Sequence, residues 1–239
     1  MVVDHDSGRL VWAAAGRDKQ TVTRFLDLLG EARCNQLKLI SCDMASWITG
    51  PIAERCPNAT VCYDPFHLVK LATDALDEIR REVWNEARRA GQRQLAAELK
   101  GARFALCKNP GNLTERQRLK LARIQQLNQR LYRGYLLAQQ LRQIYRVGFD
   151  QAIVLLDAWL RWARRCRLEP FIKLARTITE QRSGIEAAIQ HGLSNARVEQ
   201  VNTQLRLIVR RAFGFHSYQA AISLAMLALA GLCPSLPGR

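Results

Sequence analysis

The sequence predicts an α/β protein that is mainly helical, with a small sheet near its amino terminus and helices thereafter. Three observations predict it. Two short apolar runs, over residues 37–42 and 59–63, end on Asp43 and Asp64, and a helix-like stretch with Trp47 and Ile52 separates them. Two buried parallel strands joined by a crossover helix read this way. A hairpin signal, Asp-Ser-Gly between apolar residues, stands at positions 6–8. From Leu68 onward strand signals stop, and apolar residues recur every three to four positions.

Taken in order, residues 1–12 read as a strand, a turn over 4–8 and a second strand from Arg9. Only Met1, Val2 and Val3 precede that turn, so a sheet begun here is expected to lack its first strand and to have an unpaired edge. Thr21 is the expected N-cap of a helix with Phe25, Leu26, Leu28 and Leu29 on its apolar side and Gly30 near its end. The strand–helix–strand stretch follows, broken by Pro57-Asn58 before its second strand. Residues 71–100 predict one long helix or a helix pair, and 104–114 a loop around Asn109-Pro110-Gly111. Thr114 is the expected cap of the next helix, with Glu115 in its first turn. Helical spacing runs over 119–146 and again over 149–166, where Trp159 and Trp162 lie. Glu169-Pro170 breaks that helix, Ser183-Gly184 reads as a turn, and Ser194-Asn195 as the cap of the last helices. The apolar stretch 220–232 predicts a buried terminal helix, being shorter than a membrane span. The expected domains are a front part over 1–70, a helical insertion over 71–182 and C-terminal helices over 183–239 that pack back on the front.

Composition limits the function classes. The chain has 239 residues, nearly half of them hydrophobic, which excludes a disordered protein. A formal net charge of +15 points to a polyanionic partner, nucleic acid before others. Seven cysteines without a C-x-x-C pair argue against a disulfide framework or a zinc knuckle, and predict a reducing, cytoplasmic setting. No signal peptide or membrane span is visible.

Each candidate site residue has a chemical and a structural reading. Asp43 and Asp64 fall at the carboxyl ends of parallel strands, where ligands gather in such sheets. Asp43 is a metal ligand or a cap of the following helix. Asp64 and His67 form a D-x-x-H step that binds a metal, orients the site, or caps a helix while His67 satisfies a core hydrogen bond. Asn195, Glu199 and Asn202 share one helical face, which Arg206 and Arg210 continue. That face suits a metal carboxylate beside a phosphate backbone, or is merely solvated. Two distant acids, with a third, would hold two divalent metals for in-line phosphoryl transfer, a task for hard oxygen ligands.

Five blocks carry a family resemblance: VVDHDSGRLVW, SCDMASWI, CPNATVCYDPFHLVKLATDALDEIRRE, NPGNLT and SNARVEQVNTQLRLIVRRAFGF. In order, spacing and residue type they resemble bacterial insertion-sequence transposases of the ISL-three type. The resemblance implies a partial ribonuclease-H-like core, a mixed sheet with a large all-helical insertion between the second and third acids. It implies a DDE recombinase that cuts and joins DNA with Mg²⁺, or Mn²⁺ in its place. Asp43 corresponds to the second acid and Glu199 to the third, both catalytic and metal-binding. Asp64 and His67 match the D-x-x-H step. Asn195, Asn202, Arg206, Arg210 and Arg211 are the expected DNA-binding set, facing insertion-sequence ends and target DNA, with homo-oligomer assembly. The family's first acid stands in a Gly-Ile-Asp-Glu block before the hairpin, and Asp4 and Asp6 match its turn positions instead. The chain is therefore expected to be truncated and inactive. The alternative is a basic, mainly helical DNA-binding or interaction module without catalysis.

Overall fold

The computed structural model describes residues 1–232, which form a mainly helical α/β protein with two small sheets. The chain divides into two compact units, one of residues 1–64 with 193–239, the other of residues 65–192.

In the first unit, β1 (Val2–Val3) pairs antiparallel with β2 (Leu10–Trp12). Asp4 closes the turn: its carboxylate accepts from the backbone of Ser7 at 3.1 Å and from the Ser7 hydroxyl, and Gly8 takes φ +69°. That left-handed conformation costs little without a Cβ. Helix α1 (Lys19–Leu29) starts earlier than Thr21 predicts. Asp18 is the cap, accepting from both the backbone N–H and the hydroxyl of Thr21 at 2.8 Å, because a carboxylate outcompetes a hydroxyl for exposed helix donors. Short α2 (Glu31–Cys34) leads to β3 (Leu39–Cys42), then α3 (Ser46–Arg55) and β4 (Thr60–Tyr63).

Strands β3 and β4 are parallel and in register from Leu39↔Thr60 to Cys42↔Tyr63. One further bond, from the Asp64 N–H to the Cys42 carbonyl at 3.0 Å, extends the ladder past the strand end. Leu26, Cys34, Cys42, Ile52 and Cys56 form the core beneath this pair, against partly buried Phe25, Ile40, Val61 and Tyr63. A second cluster of Leu10, Val201 and Ala225 joins the hairpin to α12 (Ala196–Arg211) and α13 (Tyr218–Leu229). Helix α13 is not a buried helix. Ala225 is its buried residue, packed with Leu10 and Val201, while Leu224 and Leu227 are 39% and 49% exposed.

The second unit is all helical among its described elements. Helix α4 (Pro65–Arg89) buries Leu68, Ala72, Leu76, Ile79 and Val83, a stripe at three-to-four spacing. Helices α5 (Arg93–Lys100) and α6 (Arg103–Cys107) follow. Part of the expected 104–114 loop is thus helical, since Ala105 and Leu106 are buried. Thr114 caps α7 (Glu115–Leu127) in a capping box with Gln117. The expected 119–146 helix is two: Asn128 breaks it in extended conformation and caps α8 (Gln129–Ile144) through the Leu131 N–H at 2.8 Å. Helices α9 (Phe149–Arg165) and α10 (Glu169–Glu180) bury Trp159 and Phe171, whose rings lie 6.5 Å apart; the Trp159 indole donates to the Leu137 carbonyl at 2.9 Å. Ser183-Gly184 is not a turn but the first turn of α11 (Arg182–His191), where Gly184 and Ile185 are buried. Packing outweighs the roughly 1 kcal/mol that glycine costs in a helix.

Candidate active site

Because β3 and β4 are in register, their ends coincide, and the acids that follow them, Asp43 and Asp64, emerge at one edge of the sheet. Asp64 is buried, 4% exposed, and Asp43 is half-buried. The start of α12 meets that edge at Asn195. The Asn195 backbone N–H donates to Asp64 Oδ1 at 3.0 Å. Its side-chain Nδ2 donates to Asp43 Oδ1 at 3.2 Å, and its Oδ1 accepts from the Ser41 hydroxyl at 2.7 Å. A carboxylate can only accept, so the amide nitrogen must face Asp43, and this fixes the amide's orientation. The Asn195 carbonyl accepts from the Glu199 N–H at 2.9 Å, the first internal bond of α12.

Asn195 stands at the N-cap position of α12 but makes no side-chain cap there. The Ala196 N–H goes instead to the Ser194 hydroxyl at 3.4 Å. His5, in the hairpin turn, lies 3.2 Å from the Ser194 carbonyl through Nε2. Glu199 is exposed in the first turn of α12, and Arg210 and Arg211 stand in its last. This distribution also complements the helix dipole. Val201 is buried and Leu205 partly buried against the hairpin cluster, whereas Arg206, Arg210 and Arg211 are exposed and Asn202 is half-buried. His67 lies in the other unit, on the first turn of α4.

The Cys42 thiol beside this edge is buried. Burial, the charge of Asp43 and the neighbouring Cys62 push the Cys42 thiol up to about 12, so it stays protonated at neutral pH. The hard oxygens here are Asp43 and Asp64 at the strand ends and Glu199 in the first turn of α12. Among the described residues no group of three or more His, Cys, Asp or Glu is placed to hold a metal ion. By residue type these carboxylates are the hard-oxygen donors a divalent metal takes, but no described cluster of them makes a whole site. Ser41 is the residue that sequence reasoning passed over; a lone hydroxyl inside the apolar run before Asp43 is the signal that could have found it. Among the described residues no helix is long and apolar enough to cross a membrane.

A family model described as Transposase, of the ISL-three DDE type, matches residues 1–224. The chain is 50% identical, over 258 aligned positions, to the transposase for insertion sequence element IS1557 of Mycobacterium tuberculosis, in strains CDC 1551 / Oshkosh and ATCC 25618 / H37Rv alike. The alignment covers 100% of this chain and 58% of that protein. It is 26% identical over 223 positions to the transposase for insertion sequence element IS1001 of Bordetella parapertussis, covering 92% of this chain and 54% of the relative. The chain thus spans a little over half the length of the curated relatives it matches. No solved structure matches it. On the span of the family match and the identity to IS1557, the chain belongs to the ISL-three family of transposases.

Proposed function

We propose that these residues are part of the DNA strand-cleavage and strand-transfer centre of an insertion-sequence transposase, built on a ribonuclease-H-like core. The observation that carries the reading is the joint at Asn195, which ties the two strand-end acids Asp43 and Asp64 to the helix that bears Glu199. In this reading Asp43 and Glu199 hold Mg²⁺, with Mn²⁺ as a substitute. When bound, the metal activates a water or a DNA 3′ hydroxyl and stabilises charge on the phosphate in flight. The chain's own part is positional. The strand fixes the Asp43 backbone, and Asn195 donates to one carboxylate oxygen, Oδ1, so that the other would be left to hold the cation. Asp64 serves the docking of α12, and Asn202, Arg206, Arg210 and Arg211 contact the phosphates of insertion-sequence ends or target DNA.

The test is cleavage of supercoiled DNA with Mg²⁺ or Mn²⁺. The expected result is no cutting by the 239-residue chain, which carries two acids, Asp43 and Glu199, where the resemblance implies three. A longer copy carrying upstream family sequence should cut, and its Asp43→Ala and Glu199→Gln versions should not. Cutting by the longer copy that survives Asp43→Ala would end the reading.

A second reading, a basic DNA-binding module without chemistry, has one observation in its favour. Residues 65–192 hold 24 of the 36 Lys and Arg but 12 of the 21 Asp and Glu, so most of the excess charge lies in the helical unit. Under it, the longer copy binds DNA and never cuts.

A further inference from the structure

We infer that Asn195 is a positioning residue, the joint that sets Glu199 against the Asp43 strand end, and not a contact to DNA. The consequence for catalysis rests on the reading of Asp43 and Glu199 above; the structural claim does not. The four polar groups of Asn195 are all engaged within the protein: N–H to Asp64, Nδ2 to Asp43, Oδ1 to Ser41, and carbonyl to the Glu199 N–H. Bonds to the carboxylates are charge-assisted and so stronger than neutral ones. The partners come from three places: Ser41 and Asp43 from the end of β3, Asp64 from the end of β4, and Glu199 from α12.

The geometry explains two features that a cap reading does not. Asn is a favoured N-cap residue, yet here its side chain turns away from its own helix. Asp64 is a buried carboxylate, and one of its oxygens receives a helix-start N–H that no intrahelical carbonyl could satisfy. Both are accounted for if the start of α12 is gripped by the sheet edge rather than capped by itself. With the grip in place, Glu199 stands one turn along from a fixed point, so its reach toward Asp43 is set by the backbone.

The test is amide hydrogen exchange of the Glu199 N–H in the full 239-residue chain, without metal or DNA. Asn195→Ala should raise the rate about tenfold, the equivalent of losing one charge-assisted bond. Ser41→Ala, which removes one neutral partner and is milder, should raise it less. Asn195→Asp sets a carboxylate against Asp43 and should be worse than Asn195→Ala. Combining it with Asp43→Asn restores donor to acceptor at unchanged net charge, because the new amide then donates to the new carboxylate, which still accepts from Ser41. That exchanged pair should return the rate to near the original. A side chain that merely fills space would show no such rescue. No rescue in the exchanged pair, or unchanged exchange in both Asn195→Ala and Ser41→Ala, overturns the inference whatever the cleavage assay gives. Rescue in the exchanged pair beside an Asp43→Ala longer copy that still cuts would overturn the catalytic reading and leave the joint standing.

Discussion

Burial and the neighbouring Cys34 push the Cys56 thiol up to about 11, from an ordinary 9.0. The unfolded chain then ionises this group at lower pH than the folded one. The stability it confers is fully present below pH 9 and is lost as pH rises toward about 11, because the folded state binds more protons across that window. Urea midpoints should fall between pH 9 and 11, and should fall less in Cys56→Ala. Equal slopes for the two proteins would contradict the assignment. At this scale the sequence placed Asp43 and Asp64 correctly at strand ends, because a carboxylate closing an apolar run has few other places to go. It did not reveal what Asn195 does. Its helical spacing put it on a face with Glu199, but its partners Ser41, Asp43 and Asp64 lie 154, 152 and 131 residues away. No local pattern reports a bond across such a gap.

Helix α8 passes close to its neighbours at Gly134, where an added Cβ would stand 3.2 Å from Ile79 Cδ1, 3.3 Å from Leu76 Cδ1 and 3.5 Å from Phe171 Cε2. Gly134→Leu should therefore overpack the α4–α8 seam and cost about 1–3 kcal/mol in chemical denaturation. A variant as stable as the parent would mean that the seam is looser than these distances state. Thr114→Ala removes the hydroxyl half of the α7 capping box and should cost about 1 kcal/mol. Substituting Thr21 by alanine should cost less, since Asp18 keeps the backbone N–H of that residue. Helices with long apolar stripes, such as α4 and α9, were legible in the sequence. Breaks were less so: Asn128 ends a helix inside a continuous periodic stretch, and Gly184 fails to end one. The first break follows from the Asn128 side chain itself, which caps α8 through the Leu131 N–H, whereas at Gly184 burial of that residue and of Ile185 decided against local propensity.

Over the whole molecule the charge excess bears on function more than on fold. Under the proposed function, affinity for DNA should fall steeply with salt, with a slope near −0.9 in log units for each phosphate neutralised. Removing Arg206 and Arg210 together should lower that slope by about one for each lost phosphate contact and weaken different sequences alike. Filter-binding titrations at several salt concentrations would show it, and an affinity indifferent to salt would rule out the electrostatic account.

The sequence by itself determined the class of the protein. Apolar periodicity set a small strand–helix–strand front followed by helices, and five motif blocks set the family, now matched over residues 1–224. These are local properties, written in the spacing of neighbours. Tertiary structure decided what spacing cannot encode. It put the strand pairs in two separate two-stranded sheets and grouped residues 1–64 with the segment after 192. It left the outer side of α13 exposed. It also gave Asn195 to Asp43 and Asp64, because a polar group at a buried sheet edge must find its hydrogen bonds wherever the folded chain supplies them.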